Sequence, residues 1–327
     1  MVFPYEVSFL VVTIAGSLVG LSSMSWVGAW VGMEMNLLGV LPVFVVGKGA
    51  SEIESGIKYY LIQAISSGLI LFGMLSSIEL WRMEYLFVIG LSMKMGVGPF
   101  YFWLPEVMKG LSYTGCIVLS TWQKLLPIMV AVLLVKGVVL ISSLGVLSSL
   151  IGGVGGLSEN KLRKIMAYSS IGHLGWMYCL MLMGGFYVFL YWFIYSVMSS
   201  VVFVVGKFKK YEYIIGLLGN LSLLGLWSVL VLAGFPPFLG FWAKVVGLWF
   251  LGNWYFVIFG LMLGTFISLY YYMILGFSLS GWGKMMKWVD VKMFSEKSFL
   301  ITYFLVNFFF MGCYFIMSYA LTFFYKP

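Results

Sequence analysis

The sequence predicts an all-α, polytopic membrane protein with about eleven transmembrane helices. Of its 327 residues, 62% are hydrophobic and only 9% are charged, whereas soluble domains are about 25% charged. The mean hydropathy is +1.05. Apolar stretches of the length that a bilayer helix needs, about 20 residues, follow one another with short polar breaks. This pattern excludes a soluble enzyme, a disordered chain and the short alternating strands of a membrane barrel.

Charged residues, turn residues and hydropathy breaks divide the chain into spans and predict its orientation. If the N-terminus and every second loop lie on one side, thirteen of the nineteen lysine and arginine residues fall on that side and three on the other. Such a bias marks the negative side of a membrane, so the net charge of +8 does not indicate a nucleic-acid partner. The first stretch lacks the basic leader and the cleavage site of a signal peptide. The predicted spans are residues 4–22, 24–47, 56–78, 83–104, 110–135, 138–157, 161–182, 185–206, 216–246, 253–277 and 298–323.

Five ionisable residues fall at or near the predicted membrane depth: Glu34, Lys94, Lys124, His173 and Lys244. A charge at the bilayer centre costs at least about 2.5–3.5 kcal/mol, so these residues need a reason to be there. One interpretation is a polar chain through the helix bundle that carries protons or ions. The alternative is structural, with buried pairs or backbone-bonded lysines that hold helices together. Three lysines and a glutamate in one membrane domain favour the first interpretation.

Matching breaks interrupt the fourth and the ninth span, and both fit the pattern G-x-x-P-F. Proline removes a backbone donor, and paired broken helices are typical of inverted-repeat transporters, although plain proline kinks are the alternative. The breaks lie five spans apart, which predicts a single membrane domain (1–327) with approximate inverted repeats at 4–135 and 138–277 and a last helix at 298–323. Each break has a lysine within two turns. The break residues are Gly96, Gly98, Pro99, Gly234, Pro236 and Pro237.

The sequence contains no recognisable site for a metal or a redox cofactor. Its three cysteines, Cys116, Cys179 and Cys313, are far apart and form no metal or iron–sulfur spacing. One histidine cannot build a metal site alone. The glycine-rich segment 152–156 (GGVGG) does not fit a dinucleotide-binding turn, and we expect it to let two helices approach closely.

Five segments, in order along the chain, resemble one known family. They are residues 25–36 (SWVGAWVGMEMN), 94–107 (KMGVGPFYFWLPEV), 121–128 (TWQKLLPI), 161–177 (KLRKIMAYSSIGHLGWM) and 234–244 (GFPPFLGFWAK). Together they resemble the chain 2 family of NADH:ubiquinone oxidoreductase (respiratory complex I), the mitochondrially encoded, antiporter-like subunit in its shortened animal form. The resemblance implies a place in the mitochondrial inner membrane, with the N-terminus in the matrix and the C-terminus toward the intermembrane space.

The resemblance also implies a function and a set of partners. It implies a proton-translocating, antiporter-like subunit that couples electron transfer from NADH to ubiquinone, on other subunits, to proton pumping. NADH, FMN, iron–sulfur clusters and ubiquinone are then expected on those other subunits and no cofactor on this chain, which takes part in the enzyme only as a subunit. The implied partners are membrane-arm subunits, neighbouring antiporter-like subunits among them, and phospholipids. A free-standing cation/proton antiporter and a structural membrane scaffold remain the alternatives.

Roles in a proton relay follow from the same resemblance, position by position. Glu34 and Lys94 correspond to the Glu–Lys pair of the family, Lys124 to its central relay lysine, His173 to a polar neighbour of that relay, and Lys244 to the lysine on the second broken helix. The chain departs from the family at residue 101, where it has tyrosine in place of the usual histidine. A phenol is a poor proton carrier at neutral pH, so we expect that side chain to serve packing or hydrogen bonding.

Overall fold

The protein is described by a computed structural model that covers residues 4–45, 49–77, 84–134, 138–209, 223–236, 238–252 and 254–280. The predicted last helix, Pro237 and Cys313 lie outside these residues. The described residues form thirteen α-helices: α1 (Pro4–Ser22), α2 (Trp26–Val45), α3 (Ala50–Ser77), α4 (Glu84–Met95), α5 (Trp103–Gly110), α6 (Tyr113–Ser120), α7 (Trp122–Leu134), α8 (Val138–Leu157), α9 (Leu162–Leu180), α10 (Gly185–Lys209), α11 (Leu223–Ala233), α12 (Leu239–Phe250) and α13 (Tyr255–Ser280).

The helices are long and apolar, as the composition predicts. Within the described ranges, six segments are long and apolar enough to cross a membrane, and three shorter apolar helices accompany them. The helical class of the membrane domain is therefore confirmed. The total of eleven spans stays a prediction, because part of the chain lies outside the described residues.

The third helix begins earlier than the sequence analysis predicts. The predicted span is 56–78, but α3 begins at Ala50. Its first turn contains Glu52, and Glu54 pairs with Lys58 one turn further on. An acidic residue near a helix N-terminus and a Glu–Lys pair at this spacing both stabilise a helix in water. Hydropathy detects only the apolar part of such a helix, so the prediction begins too late.

The fifth predicted span, 110–135, is one apolar segment but not one continuous helix. The helix α6 ends before Thr121, and α7 begins after it. The carbonyl of Thr121 accepts a hydrogen bond from the indole of Trp192, with an N–O distance of 3.1 Å. Within α7, Pro127 lacks the amide that would normally bond the carbonyl of Gln123. Lys124 therefore lies between two distortions of its helix, which the sequence analysis did not predict.

The glycine-rich segment of α8 lets this helix approach two others. A Cβ atom at Gly152 would lie 2.5 Å from the backbone nitrogen of Gly172 on α9. One at Gly153 would lie 2.8 Å from the carbonyl oxygen of Gly264 on α13. The predicted close helix approach is therefore confirmed. This contact holds α9 against α8 at Gly172, the residue before His173.

Charged side chains gather at one end of the bundle. The Lys164 ammonium, in the first turn of α9, lies 2.9 Å from a carboxylate oxygen of Glu106 on α5 and 3.0 Å from one of Glu159. The Lys109 ammonium lies 3.8 Å from the other Glu106 oxygen. The Arg163 guanidinium donates to the carbonyl at the C-cap of α5. The structure thus brings together three basic residues that the charge count assigns to one side of the membrane.

Lowering the pH is expected to weaken this cluster. The hydrogen bond from Lys164 is the largest cause that holds the pKa of Glu106 below its ordinary value, and partial burial opposes it. Because the folded pKa is depressed, the cluster stabilises the fold above the unfolded value of about 4.3, and the contribution is lost as the pH falls through the folded value. We expect Glu106→Gln to destabilise the chain at neutral pH by about 0.2–1 kcal/mol. Thermal unfolding of both proteins from neutral to acidic pH measures this effect, and a difference that persists unchanged in acid would contradict it.

Candidate functional site

Both predicted helix breaks have the same backbone geometry. Gly96 has a φ of +76°, and Gly234 has a φ of +78°. In each break the amide of the residue after the glycine donates to the carbonyl four residues before the glycine, at 2.9 Å and 3.3 Å. This left-handed ending of a helix favours glycine, because a Cβ atom is strained there. The structure therefore places the breaks where the two G-x-x-P-F segments begin.

Carbonyl groups that the first break releases find side-chain donors. The indole nitrogen of Trp103 donates to the carbonyl of Met93 over 3.1 Å. The amide nitrogen of Gln63, on α3, donates to the carbonyl of Lys94 over 3.0 Å. A buried carbonyl without a donor costs free energy, so these two bonds make the open backbone tolerable. They also fix the last turn of α4, which carries Lys94.

At the second break, the lysine itself supplies the donor. The Lys244 ammonium, on α12, donates to the carbonyl of Ala233 at the end of α11, with an N–O distance of 2.9 Å. A Cβ atom at Gly234 would lie 3.0 Å from the same nitrogen. Lys244 is 9% exposed. Its charge therefore lies against the opened backbone of the second broken helix.

Glu34 and Lys94 form an ion pair between α2 and the first broken helix. The Lys94 ammonium lies 3.7 Å from a carboxylate oxygen of Glu34. Lys94 is buried, and Glu34 is about one quarter exposed. Within the described part of the chain, the Lys94 ammonium has no hydrogen-bond partner by ordinary geometry. Glu34 is therefore the charge that compensates Lys94.

One aromatic ring lies between Lys124 and His173. The Lys124 ammonium lies 5.2 Å from the ring centroid of Tyr195, on α10, and the same ring lies 5.0 Å from the His173 ring. Lys124 is 3% exposed and has no hydrogen-bond partner among the described residues. A desolvated cation over an aromatic face gains about 2 kcal/mol. Among the described residues, no hydrogen bond connects Lys124 to Lys94.

His173 and Lys244 line a common cavity. The Nδ1 atom of His173 lies 2.9 Å from the hydroxyl of Tyr191. The cavity has a volume of about 20 Å³, and one water molecule needs about 10–15 Å³ by the same measure. Hydroxyl-bearing residues from three helices line it: Ser149, Ser169, Thr265, Ser268, Tyr271 and Tyr272. The site is therefore able to hold a water between the His173 imidazole and Lys244.

Several buried or half-buried polar residues of this site were not among the predicted site residues. They are Tyr59, Gln63, Gln123, Tyr191 and Tyr195. One clue was present, because glutamine occurs only twice in the chain and both copies lie within apolar stretches. The tyrosines gave no such clue, since the sequence has 21 of them. Only the folded structure shows which tyrosines contact other residues of the site.

Tyr101 packs among aromatic side chains. Its ring stacks on Phe102 with a centroid distance of 4.2 Å, and it lies 6.2 Å from the ring of Tyr168. These contacts agree with the packing role expected from the replacement of histidine by tyrosine. The described residues also contain no group of three or more His, Cys, Asp or Glu side chains that could hold a metal ion. The expectation that the chain carries no cofactor stays a prediction.

Removing the Tyr195 ring is expected to disturb Lys124 more than removing its hydroxyl. Tyr195→Phe keeps the aromatic face and therefore the attraction for the ammonium, whereas Tyr195→Leu removes it. We expect the leucine variant to lower proton translocation several-fold more than the phenylalanine variant, at equal assembly. Proton uptake by vesicles that contain each variant measures this. Equal losses in the two variants would show that the ring does not hold Lys124.

The comparisons with known proteins agree on one family. The family model described as "NADH:quinone oxidoreductase/Mrp antiporter, TM" matches residues 74–269. A relative named NADH-ubiquinone oxidoreductase chain 2, from Anopheles gambiae, is 36% identical over 293 residues, which cover 83% of this chain and 84% of the relative. The relative of the same name from Xenopus laevis is 39% identical over 249 residues, 70% of this chain and 71% of its own length. The chain therefore belongs to the NADH:quinone oxidoreductase/Mrp antiporter family and, within it, to the NADH-ubiquinone oxidoreductase chain 2 family.

The fold is also shared with a solved respiratory complex. A chain in the structure of respiratory complex I from Thermus thermophilus with bound aureothin superposes with a TM-score of 0.77 at 21% identity. The match covers 84% of this chain and 70% of that chain. At this identity the likeness shows the fold alone, which is the antiporter-like membrane fold.

Proposed function

We propose that the chain is a proton-translocating membrane subunit of mitochondrial NADH:ubiquinone oxidoreductase, and that its own contribution is a relay through Glu34, Lys94, Lys124, His173 and Lys244. The observation that carries this proposal is the arrangement of these five groups inside the bundle. The Glu34–Lys94 ion pair lies at one end. The Tyr195 ring lies between Lys124 and His173. His173 and Lys244 line a common cavity at the other end. The names of the relatives indicate the complex in which we place this relay.

Proton movement follows from the balance of charge at Glu34 and Lys94. While the pair is closed, the carboxylate stabilises the Lys94 ammonium in a medium of low dielectric. If α2 moves away, the ammonium loses its only charge partner among the described residues and releases its proton more readily. Lys124, when its side chain is the neutral amine, is then the next base along the path and becomes the ammonium on accepting the proton. Closing the pair reverses the step, so a conformational change is able to drive proton transfer.

The inverted repeats at 4–135 and 138–277 belong to the same proposal. The two breaks share their glycine geometry and their hydrogen-bond pattern, and each begins 138 residues from the other, at Gly96 and Gly234. Such a correspondence is what two related half-units would give. It supports a path that crosses the contact between the halves, where α7, α9 and α10 bring Lys124 and His173 together.

The location and the partners follow from membership in the complex. We infer a multi-pass position in the mitochondrial inner membrane, with the N-terminus in the matrix and the C-terminus toward the intermembrane space, because positive charges concentrate on the negative side. The neighbours are other membrane-arm subunits, antiporter-like ones among them, and phospholipids. NADH, FMN, iron–sulfur clusters and ubiquinone are carried by other subunits.

A free-standing cation/proton antiporter is the second candidate, because the family model also includes Mrp antiporters. Native-gel isolation from the membrane separates the two, with NADH:quinone activity and mass spectrometry of the band. Recovery of the chain in a large assembly that oxidises NADH and is sensitive to rotenone supports the complex. Recovery as a small independent particle contradicts it, and ion-driven proton flux in vesicles would then test the antiporter.

A further inference from the structure

A chain of uncharged polar side chains crosses from α3 through α7 to α2. The hydroxyl of Tyr59 donates to the amide oxygen of Gln123 over 3.2 Å. The amide nitrogen of Gln123 donates to the amide oxygen of Asn36 over 2.9 Å. Tyr59 and Asn36 are each 3% exposed. Both ends of the Gln123 amide are therefore engaged, and its orientation is fixed.

These neutral residues adjoin two charged residues of the proposed relay. Gln123 precedes Lys124 on α7, and Asn36 lies two residues from Glu34 on α2. Residues next to each other on a helix point to different faces. Gln123 accordingly faces α2 and α3, while Lys124 faces the ring of Tyr195 on α10. The helix α7 thus has one face held by the amides and another that carries the relay lysine.

Stability alone does not account for this amide pair, in which Asn36 is buried and Gln123 is half-buried. Replacing a buried polar pair by apolar residues of similar shape is often neutral, and apolar residues suit a membrane bundle. The side-chain link also acts at the residue whose backbone carbonyl would normally accept from residue 127, where Pro127 has no amide to donate. A directional bond at this position connects α2 to α7 through their side chains.

We propose that Gln123 and Asn36 are positioning residues that couple the helix of Glu34 to the helix of Lys124. This inference rests on the proposed function. When the Glu34–Lys94 pair opens and α2 shifts, the amide bond pulls the facing side of α7, and Lys124 moves against the Tyr195 ring. The amides carry no charge, so they transmit position rather than protons. The relay lysine responds to the ion pair although no hydrogen bond joins it to Lys94 among the described residues.

A double-mutant cycle in the assembled complex tests this coupling. The variants are Gln123→Met and Asn36→Leu, which keep most of the side-chain volume, and their combination. Ser120→Ala is the matched control, because Ser120 is a buried polar residue near the site whose hydroxyl, among the described residues, bonds only within its own helix, at the carbonyl of Ile117. Native gels report assembly, and vesicles report the NADH oxidation rate and the number of protons moved per electron.

The expected result is a loss of proton translocation without a loss of electron transfer. Each single variant should assemble normally and should show the same decrease in protons per electron as Lys124→Met. The double variant should show no larger decrease than either single variant. A purely structural role would instead reduce assembly and NADH oxidation together. If Gln123→Met does not assemble, Asn36→Leu decides, since it breaks the same bond from the other side.

Three outcomes overturn the inference in distinguishable ways. Full proton stoichiometry in Gln123→Met and Asn36→Leu, with a loss in Lys124→Met, would refute the amide coupling and leave the proposed relay intact. Full stoichiometry in Lys124→Met as well would refute the relay itself, and the coupling with it. Additive losses in the double variant would show that the two amides act separately, which also contradicts the coupling.

Discussion

Replacing Glu34 by glutamine is expected to cause the largest loss at the charged site. Lys94 is 8% exposed, and its ammonium has Glu34 as its charge partner at 3.7 Å. Removing one member of a fully buried ion pair costs about 3–5 kcal/mol, because the remaining charge is left uncompensated, and the partial exposure of Glu34 places this pair near the lower end of that range. We therefore expect Glu34→Gln to reduce the assembled complex several-fold and to abolish proton translocation by the fraction that assembles. Native gels and proton uptake by vesicles measure the two effects.

Two further variants make this prediction specific. Glu34→Gln combined with Lys94→Met removes both charges, so assembly should recover while pumping does not. Glu54→Gln is the matched control, because Glu54 pairs with Lys58 on an exposed helix surface, where screening by water leaves such a pair little effect on stability. Wild-type assembly and pumping in Glu34→Gln would contradict the role of the pair.

A methyl group at Gly240 is expected to be as damaging as the loss of a charge. Gly240 lies at the start of α12, where the chain crosses back over the end of α11, and a Cβ atom there would collide with the backbone carbonyl of Val231. Overpacking costs about 1–3 kcal/mol when side chains can move, and a backbone atom yields less. We expect Gly240→Ala to open the second break, displace Lys244 and lower the unfolding temperature of the chain.

Gly68→Ala provides the comparison for this substitution. A Cβ atom at Gly68 would meet nothing within 4 Å, and alanine favours a helix over glycine by about 1 kcal/mol. The unfolding temperature should therefore be unchanged or higher in Gly68→Ala and lower in Gly240→Ala. An unchanged unfolding temperature and normal assembly in Gly240→Ala would show that the two helices do not pack in this way.

Much of this fold was predictable, because a bilayer imposes strong rules on a sequence. Apolar runs predict helices, and glycine before proline predicts the two breaks at Gly96 and Gly234. The early start of α3 was not predictable from hydropathy, because that part of the helix is polar. The interruption at Thr121 was missed because it depends on a donor from Trp192, 71 residues away in the chain.

The candidate site was predictable only in its charged members. An ammonium or carboxylate within an apolar stretch is conspicuous, since it is costly there. Tyr195 and Asn36 are not conspicuous, because neutral polar side chains are common in membrane helices. Their contacts with Lys124 and Gln123 join helices that are distant in sequence. Sequence patterns along one helix carry no information about such contacts.

The most direct test of the proton relay is the number of protons moved per electron by the complex with Lys124→Met. Lys207→Met is the control, because Lys207 is an exposed lysine at the end of α10. Vesicles with equal NADH oxidation rates should show fewer protons per electron for Lys124→Met and the wild-type number for Lys207→Met. The wild-type number for Lys124→Met, at normal assembly, would contradict the relay and favour a structural role for the buried lysines.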